Sequence, residues 1–172
     1  MMQNEGRDLK EIQLTQGKVA LVDDEDFERV NQYKWQLRHD GYPARDVYSG
    51  GGRANRNEYR YTEYLHNCVM GAKWVDHIDG NPLNNTRDNL RLCTRGQNRS
   101  NSAKVSTYRG RPPLSQYKGV TRKKNRWYAQ LVHNRKHYSL GYFDREVDAA
   151  RAYNEAARKY HGEFARLNDL AC

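Results

Sequence analysis

The stretch Val75-Asp76-His77-Ile78-Asp79-Gly80-Asn81, continued by Asn84-Asn85, Asn89-Leu90-Arg91 and Gln97-Asn98, decides how this chain is read. Trp74 to Ile78 has strand character. Asp79-Gly80-Asn81-Pro82 is dense in turn formers and opens a long polar loop. A second strand is predicted from Leu90 to Thr94, and from Arg95 the chain loses strand character and turns helical. Successive strand side chains point to opposite faces, except where the strand ends. At such an end Asp76 and His77 approach one cleft, one as a metal ligand and the other as a base.

Upstream, Ile12 and Leu14, then Val19 to Val22, flank Thr15-Gln16-Gly17-Lys18, which reads as strand, turn, strand. Asp23-Asp24-Glu25-Asp26 precedes Phe27, Val30 and Tyr33, and acids there favour a helix N-terminus through capping and the macrodipole. Trp35 and Leu37, the turn His39-Asp40-Gly41-Tyr42, then Ala44 and Val47 predict a hairpin. Ser49-Gly50-Gly51-Gly52 is read as a flexible tip with Arg53 and Arg56 beyond it, and Glu63 to Met70 as a short helix.

Downstream, residues 104–115 are a linker by composition. Tyr117–Lys123, Arg126–His133 and Lys136–Phe143 are three strand-like runs with tight polar turns between them. Asp144 is expected to cap a helix in which Val147, Ala150, Tyr153, Ala157 and Tyr160 share a face, with Gly162 as its C-cap. Strand alternation sends Trp127, Ala129, Leu131, Tyr138 and Leu140 toward that helix. It sends Arg126, Tyr128, Gln130, His137 and Ser139 outward, joined by Lys118 and Lys123.

The composition narrows the function classes. The 172 residues carry 30 Lys and Arg against 21 Asp and Glu, a formal charge of +9. Residues 1–30 are net −4 and residues 111–172 net +7, so the positive field lies toward the C-terminus. Bases interleaved with Tyr117, Trp127, Tyr128 and Tyr138 favour nucleic acid, which needs phosphate contacts and stacking together. Hydrophobic residues make up 37% of the chain, against about 45–50% in typical globular chains, so small cores are expected rather than a large one. Apolar runs are too short to span a bilayer, the first nine residues lack a signal-peptide core, and the three cysteines form no C-x-x-C pair. A cytoplasmic protein without membrane association follows.

The residues from Val75 to Asn98 resemble the HNH (ββα-metal) nuclease motif, and are most similar to small phage homing endonucleases of that class. Residues 116–168 resemble an AP2/ERF DNA-binding domain, through Tyr117-Lys118-Gly119-Val120, Trp127-Tyr128-Ala129-Gln130, Leu140-Gly141-Tyr142-Phe143-Asp144 and Gly162-Glu163-Phe164-Ala165-Arg166-Leu167-Asn168. The order is similar to that in a group of phage and prophage endonucleases. The implied fold is α+β: an N-terminal β-rich platform (1–70), the nuclease module (71–103), the linker (104–115) and a three-stranded antiparallel sheet on one helix (116–172).

The resemblance implies roles. His77 matches the general base and Asn89 the residue that ties the loop and orients it. Asp76 and Asn98 match the ligands of one Mg²⁺ or Mn²⁺ ion, and the chemistry agrees, since their hard oxygens suit such ions. Asn98 stands where many HNH enzymes carry His, which weakens any case for zinc or nickel. His66 resembles a histidine often followed by Arg in this group; here Asn67 follows, so Arg91 or Arg87 is the candidate phosphate contact, and His66 itself is read as structural. The outward sheet face is implied to enter the DNA major groove, where Gln130 suits adenine and the bases hold phosphates. The expected protein is a site-specific endonuclease acting on double-stranded DNA. It is expected to nick as a monomer, without an obligate protein partner, in a host cell infected by phage or carrying prophage. The rival is a DNA-binding regulator with a vestigial nuclease module.

Overall fold

Ile12 and Leu14 alternate inward with Ala20 and Val22, and this pairing starts the core of the first half of the chain. The computed structural model describes residues 8–49, 59–104 and 112–170, and its contacts divide into two units, Met1–Cys93 and Thr94–Cys172. In the first unit, β1 (Leu9–Gln13) and β2 (Val19–Asp23) form the predicted hairpin, with a 3-10 turn at Thr15–Gly17. Helix α1 (Asp24–Asn31) follows, as the acidic run predicts, with Asp24, Glu25 and Asp26 in its first turn. The capping expectation is corrected, because Asp23 makes no side-chain cap bond. Its Oδ2 instead accepts from the backbone N–H of Arg87 at 2.7 Å, so a carboxylate expected to serve its own helix ties down a loop 64 residues away.

Trp35 is buried beneath this layer and donates its indole N–H to Val30 O at 2.9 Å, which satisfies its one polar atom. Strands β3 (Gln36–Leu37) and β4 (Pro43–Ser49) flank the predicted turn, where Gly41 takes φ +85° and Asp40 accepts from the Tyr42 N–H. Strand β5 (Tyr59–Tyr64) pairs antiparallel with β4, and α2 (Leu65–Met70) closes on Gly71 at φ +62°. The helix expected from Glu63 is thus corrected: Glu63 and Tyr64 end β5, where cross-strand pairing with Arg45 and Ala44 prevails. The Gly-rich tip with Arg53 and Arg56 lies outside the described residues.

Strands β6 (Val75–His77) and β7 (Leu90–Leu92) pair antiparallel, shorter than the predicted runs. Their Val75 and Leu90 join Ile12, Val22, Val30, Trp35, Leu65 and Val69 in one core, so the hairpin is built on the platform. The polar loop between them pairs with β2: Leu21 N–H donates to Leu83 O, and Asn85 N–H donates to Leu21 O, both at 2.8 Å.

The second unit opens with α3 (Arg95–Asn101), started by a capping box in which Gln97 N–H donates to Thr94 Oγ1 and Thr94 N–H donates to Gln97 Oε1. Strands β8 (Val120–Lys123), β9 (Arg126–His133) and β10 (Lys136–Phe143) form an antiparallel meander with β9 central. Helix α4 (Glu146–His161) lays Ala149, Ala150, Tyr153, Ala156 and Ala157 on Val120, Ala129 and Leu131. Its N-cap is Arg145, not the expected Asp144, whose carboxylate accepts from Arg126 Nε at 3.0 Å. The first strand also starts later than Tyr117, because Gly119 at φ +75° bends the chain ahead of β8. A Cβ at Gly119 would overlap the Tyr153 ring and lie 2.7 Å from Gln130 O. Among the described residues, no helix is long and apolar enough to cross a membrane.

Candidate active site

His77 ends β6 and is only 4% exposed. Its Nε2 lies 3.3 Å from Oδ1 of Asn85, a side chain excluded from solvent whose Nδ2 donates to Pro82 O at 3.1 Å. With the Asn85 oxygen as acceptor, the Nε2–H tautomer places the ring lone pair on Nδ1. Burial pushes the His77 pKa below the ordinary histidine value, against the opposing pull of the Asn85 bond, Asp79 and Asp76. A neutral imidazole with a fixed tautomer can accept a proton near neutral pH.

The Asn89 side chain bonds across the polar loop. Its Nδ2 donates to Asp79 Oδ1 at 2.9 Å and to Asn84 O at 2.7 Å, while its Oδ1 accepts from the Asp79 N–H at 3.0 Å. Asp79 also accepts from Asn81 N–H and Asn84 Nδ2. Burial alone would raise the Asp79 pKa; these hydrogen bonds outweigh it and hold the pKa below the usual range. The asparagines at 81, 84 and 89 therefore form one network around Asp79, while Asn85 bonds Pro82 O and meets His77. Asn85 and Asp79 were quoted within the motif without a role; the density of amides between two short strands was their signal.

Asp76, 5% exposed, accepts on Oδ2 from both Nε (3.0 Å) and Nη2 (2.8 Å) of Arg91, its cross-strand partner. Arg87 is held elsewhere, by Asp26 at 2.7 and 2.9 Å and by Glu25 at 2.8 Å. Asp26 is buried and also pairs with Arg29. Burial pushes its pKa up, but the two arginines more than reverse this and keep it ionised. Around His77 stand three rings missed from sequence: His66 at 4.9 Å between centroids, Tyr42 at 5.7 Å and, behind His66, Tyr64 at 5.5 Å. His66 follows a strand and opens a helix eleven residues away, so no local spacing links it to His77.

Asn98 is half-buried on α3 in the second unit, where its backbone continues the helix from Thr94 O to Ser102 N–H. In the sheet of that unit, Thr121 and Tyr142 pair with Tyr128, Lys123 pairs with Arg126, and Ser139 pairs with Gln130. Lys123 Nζ lies 3.7 Å from the Tyr128 ring centroid, and the Tyr128 and Tyr142 rings are 4.9 Å apart. His137 pairs with the exposed Val132 on β9. Arg126 reaches Asp144 and Tyr142 O. A bulge between Ser139 and Gly141 shifts the register, so Tyr142 joins the face of Tyr128, which strict alternation does not foresee. Lys118 is engaged at the end of α3, where its Nζ donates to Ser100 O and Ser102 O.

Asp76 and His77 thus stand at the end of a short hairpin whose loop is lined with amides. Residues 71–100 match the HNH endonuclease family. Over 154 residues the chain is 33% identical to an uncharacterized HNH endonuclease of Acanthamoeba polyphaga mimivirus, L560, spanning 90% of this chain and 76% of that protein. It is also 31% identical over 119 residues to protein 3.8 of Escherichia phage T7, spanning 67% of this chain and 92% of that protein. The chain belongs to the HNH endonuclease family.

Proposed function

We propose that the chain is a site-specific endonuclease that hydrolyses phosphodiester bonds in double-stranded DNA. The observation that carries this reading is His77, buried at the end of β6 with its Nε2 3.3 Å from Asn85 Oδ1; on the Nε2–H tautomer its lone pair lies on Nδ1. Nδ1 takes a proton from water as the water oxygen bonds to phosphorus and one ester P–O bond breaks. Asn89 keeps the loop closed around this ring. By the resemblance, Asp76 and Asn98 are the residues that would hold Mg²⁺ or Mn²⁺, since carboxylate and amide oxygens are hard donors of the kind such ions take. When bound, the cation stabilises the charge that develops on the phosphate oxygens. Both arginines foreseen for phosphate are held by carboxylates, Arg87 by Asp26 and Glu25 and Arg91 by Asp76, so neither is singled out for that role.

The C-terminal sheet is read as an AP2-like reader, with Lys123, Arg126, Tyr128, Gln130, His137 and Ser139 toward the major groove. Lysine over tyrosine on this face supports it, because cation and ring together suit phosphate and base. Lys118 serves α3 first. One site and one ion suit one scissile phosphate, so the protein nicks as a monomer, in keeping with a homing role in a phage or prophage.

The test is supercoiled plasmid with Mg²⁺, sampled over time beside light scattering. Open-circular product from a monomer supports nicking. Linear product without that intermediate, from a dimer, refutes it. His77→Ala should lower cleavage by at least about 10²-fold with DNA binding retained. Tight duplex binding without cleavage by the parent would favour a regulator with a vestigial module.

A further inference from the structure

His66 is 8% exposed, and its Nδ1 has no hydrogen-bond partner among the described residues. The Asn67 amide, in the orientation that satisfies its neighbours, donates to Ala72 O at 3.1 Å, to Lys73 O at 3.2 Å and to His66 Nε2 at 3.3 Å. An imidazole that accepts on Nε2 carries its proton on Nδ1, so the unpartnered atom is an N–H donor. Burying a donor without an acceptor is unfavourable, and a phenylalanine would fill the same space without that penalty. What the ring touches gives it a purpose. It packs edge-to-face on His77, with 4.9 Å between centroids and 75° between planes, lies nearly parallel to Tyr64 at 5.5 Å, and meets Tyr42 edge-on at 5.6 Å. Tyr42 in turn meets His77 at 5.7 Å and 62°.

We infer that His66 is a positioning residue for the reaction, its planar ring bracing His77 between Tyr42 and the Asn85 bond so that Nδ1 of His77 keeps one direction. Asn85 meets one atom of the His77 ring, and a second ring packed against it further restricts its rotation. Small errors in the direction of a base are costly, since a displacement of about 1 Å can cost about 10²-fold in rate. The inference rests on His77 being the base.

The experiment uses the full chain with two substitutions at one site. His66→Phe keeps a planar ring and removes the unpaired donor; His66→Leu keeps bulk and apolarity without a plane. Plasmid nicking under saturating Mg²⁺ should give His66→Phe a kcat within about threefold of the parent. His66→Leu should lose at least about tenfold in kcat with KM within about twofold. Long-range ¹H–¹⁵N spectra of the histidine rings should show the Nε2–H tautomer of His77 in the parent and in His66→Phe, and a mixture in His66→Leu. A His66→Leu protein that keeps both the parental kcat and that tautomer overturns the inference. So does a folded His66→Phe protein that loses tenfold in kcat, for then the N–H and not the ring plane matters. His77→Ala run alongside separates the two claims: parental cutting by it refutes the assignment of the base, and the brace is then judged on the tautomer spectra alone.

Discussion

Lowering the pH from 7 to 5 should cost the first unit about 2 kcal/mol through His66 alone. Burial, with repulsion from His77 second, pushes this imidazole from its ordinary 6.5 down to about 3, so it stays neutral in the folded protein. Below pH 6.5 the unfolded chain binds a proton there that the folded chain refuses. The stability contribution is therefore complete above pH 6.5, falls as the pH drops, and levels off once the folded group titrates near 3. At pH 5 the loss is set by the distance to 6.5, about 1.5 pH units at about 1.36 kcal/mol each, so the depth of the folded value hardly matters. His66→Phe removes the group and should remove this loss. Urea unfolding followed by tryptophan fluorescence, with Trp127→Phe so that Trp35 and Trp74 of the first unit report, compares the two proteins at both pH values. Equal losses in parent and His66→Phe would refute the reasoning.

Asp26→Ala removes the buried carboxylate on which Arg87 and Arg29 converge and should destabilise the first unit by about 1–3 kcal/mol, read as a lower urea midpoint. Gly119→Ala brings a methyl against the Tyr153 ring in a left-handed backbone and should cost the second unit at least about 2 kcal/mol, measured by Trp127 fluorescence. Chelator should abolish plasmid cleavage, and Mg²⁺ or Mn²⁺ should restore it; restoration by zinc alone would contradict the ligand assignment.

The strand-loop-strand pattern around His77 and the helix-on-sheet pattern beyond residue 116 were legible because each follows from local chemistry. Turn formers at 79–82 mark one, and alternation over 126–133 with small residues along 147–160 marks the other. What stayed hidden depends on distant partners. Asp23 was read as a cap because nothing near it announces the Arg87 N–H, and Asp144 because its ion pair with Arg126 crosses eighteen residues. Tyr142 was not foreseen on the outward face because one bulge reverses the parity of everything after Ser139. His66 was read as structural since its neighbour in space is not its neighbour in sequence. The asparagine network was half visible: Asn89 had a role, whereas Asn85 was one amide among many until its Oδ1 was found against His77.

Lys104 carries a consequence of a different kind. Its ammonium donates to Tyr117 O at 2.6 Å and to Val120 O at 3.1 Å, so the residue that begins the supposed linker is stitched to the sheet where that linker ends. Residues 104 and 117 are therefore held together by side-chain bonding whatever the number of residues between them. Closing a chain between fixed ends grows costlier only slowly with length, by about 0.6 kcal/mol of closure entropy for each doubling of the number of residues. Insertions between them should therefore be thermodynamically cheap, which makes the segment a natural place to carry a tag or a fluorophore.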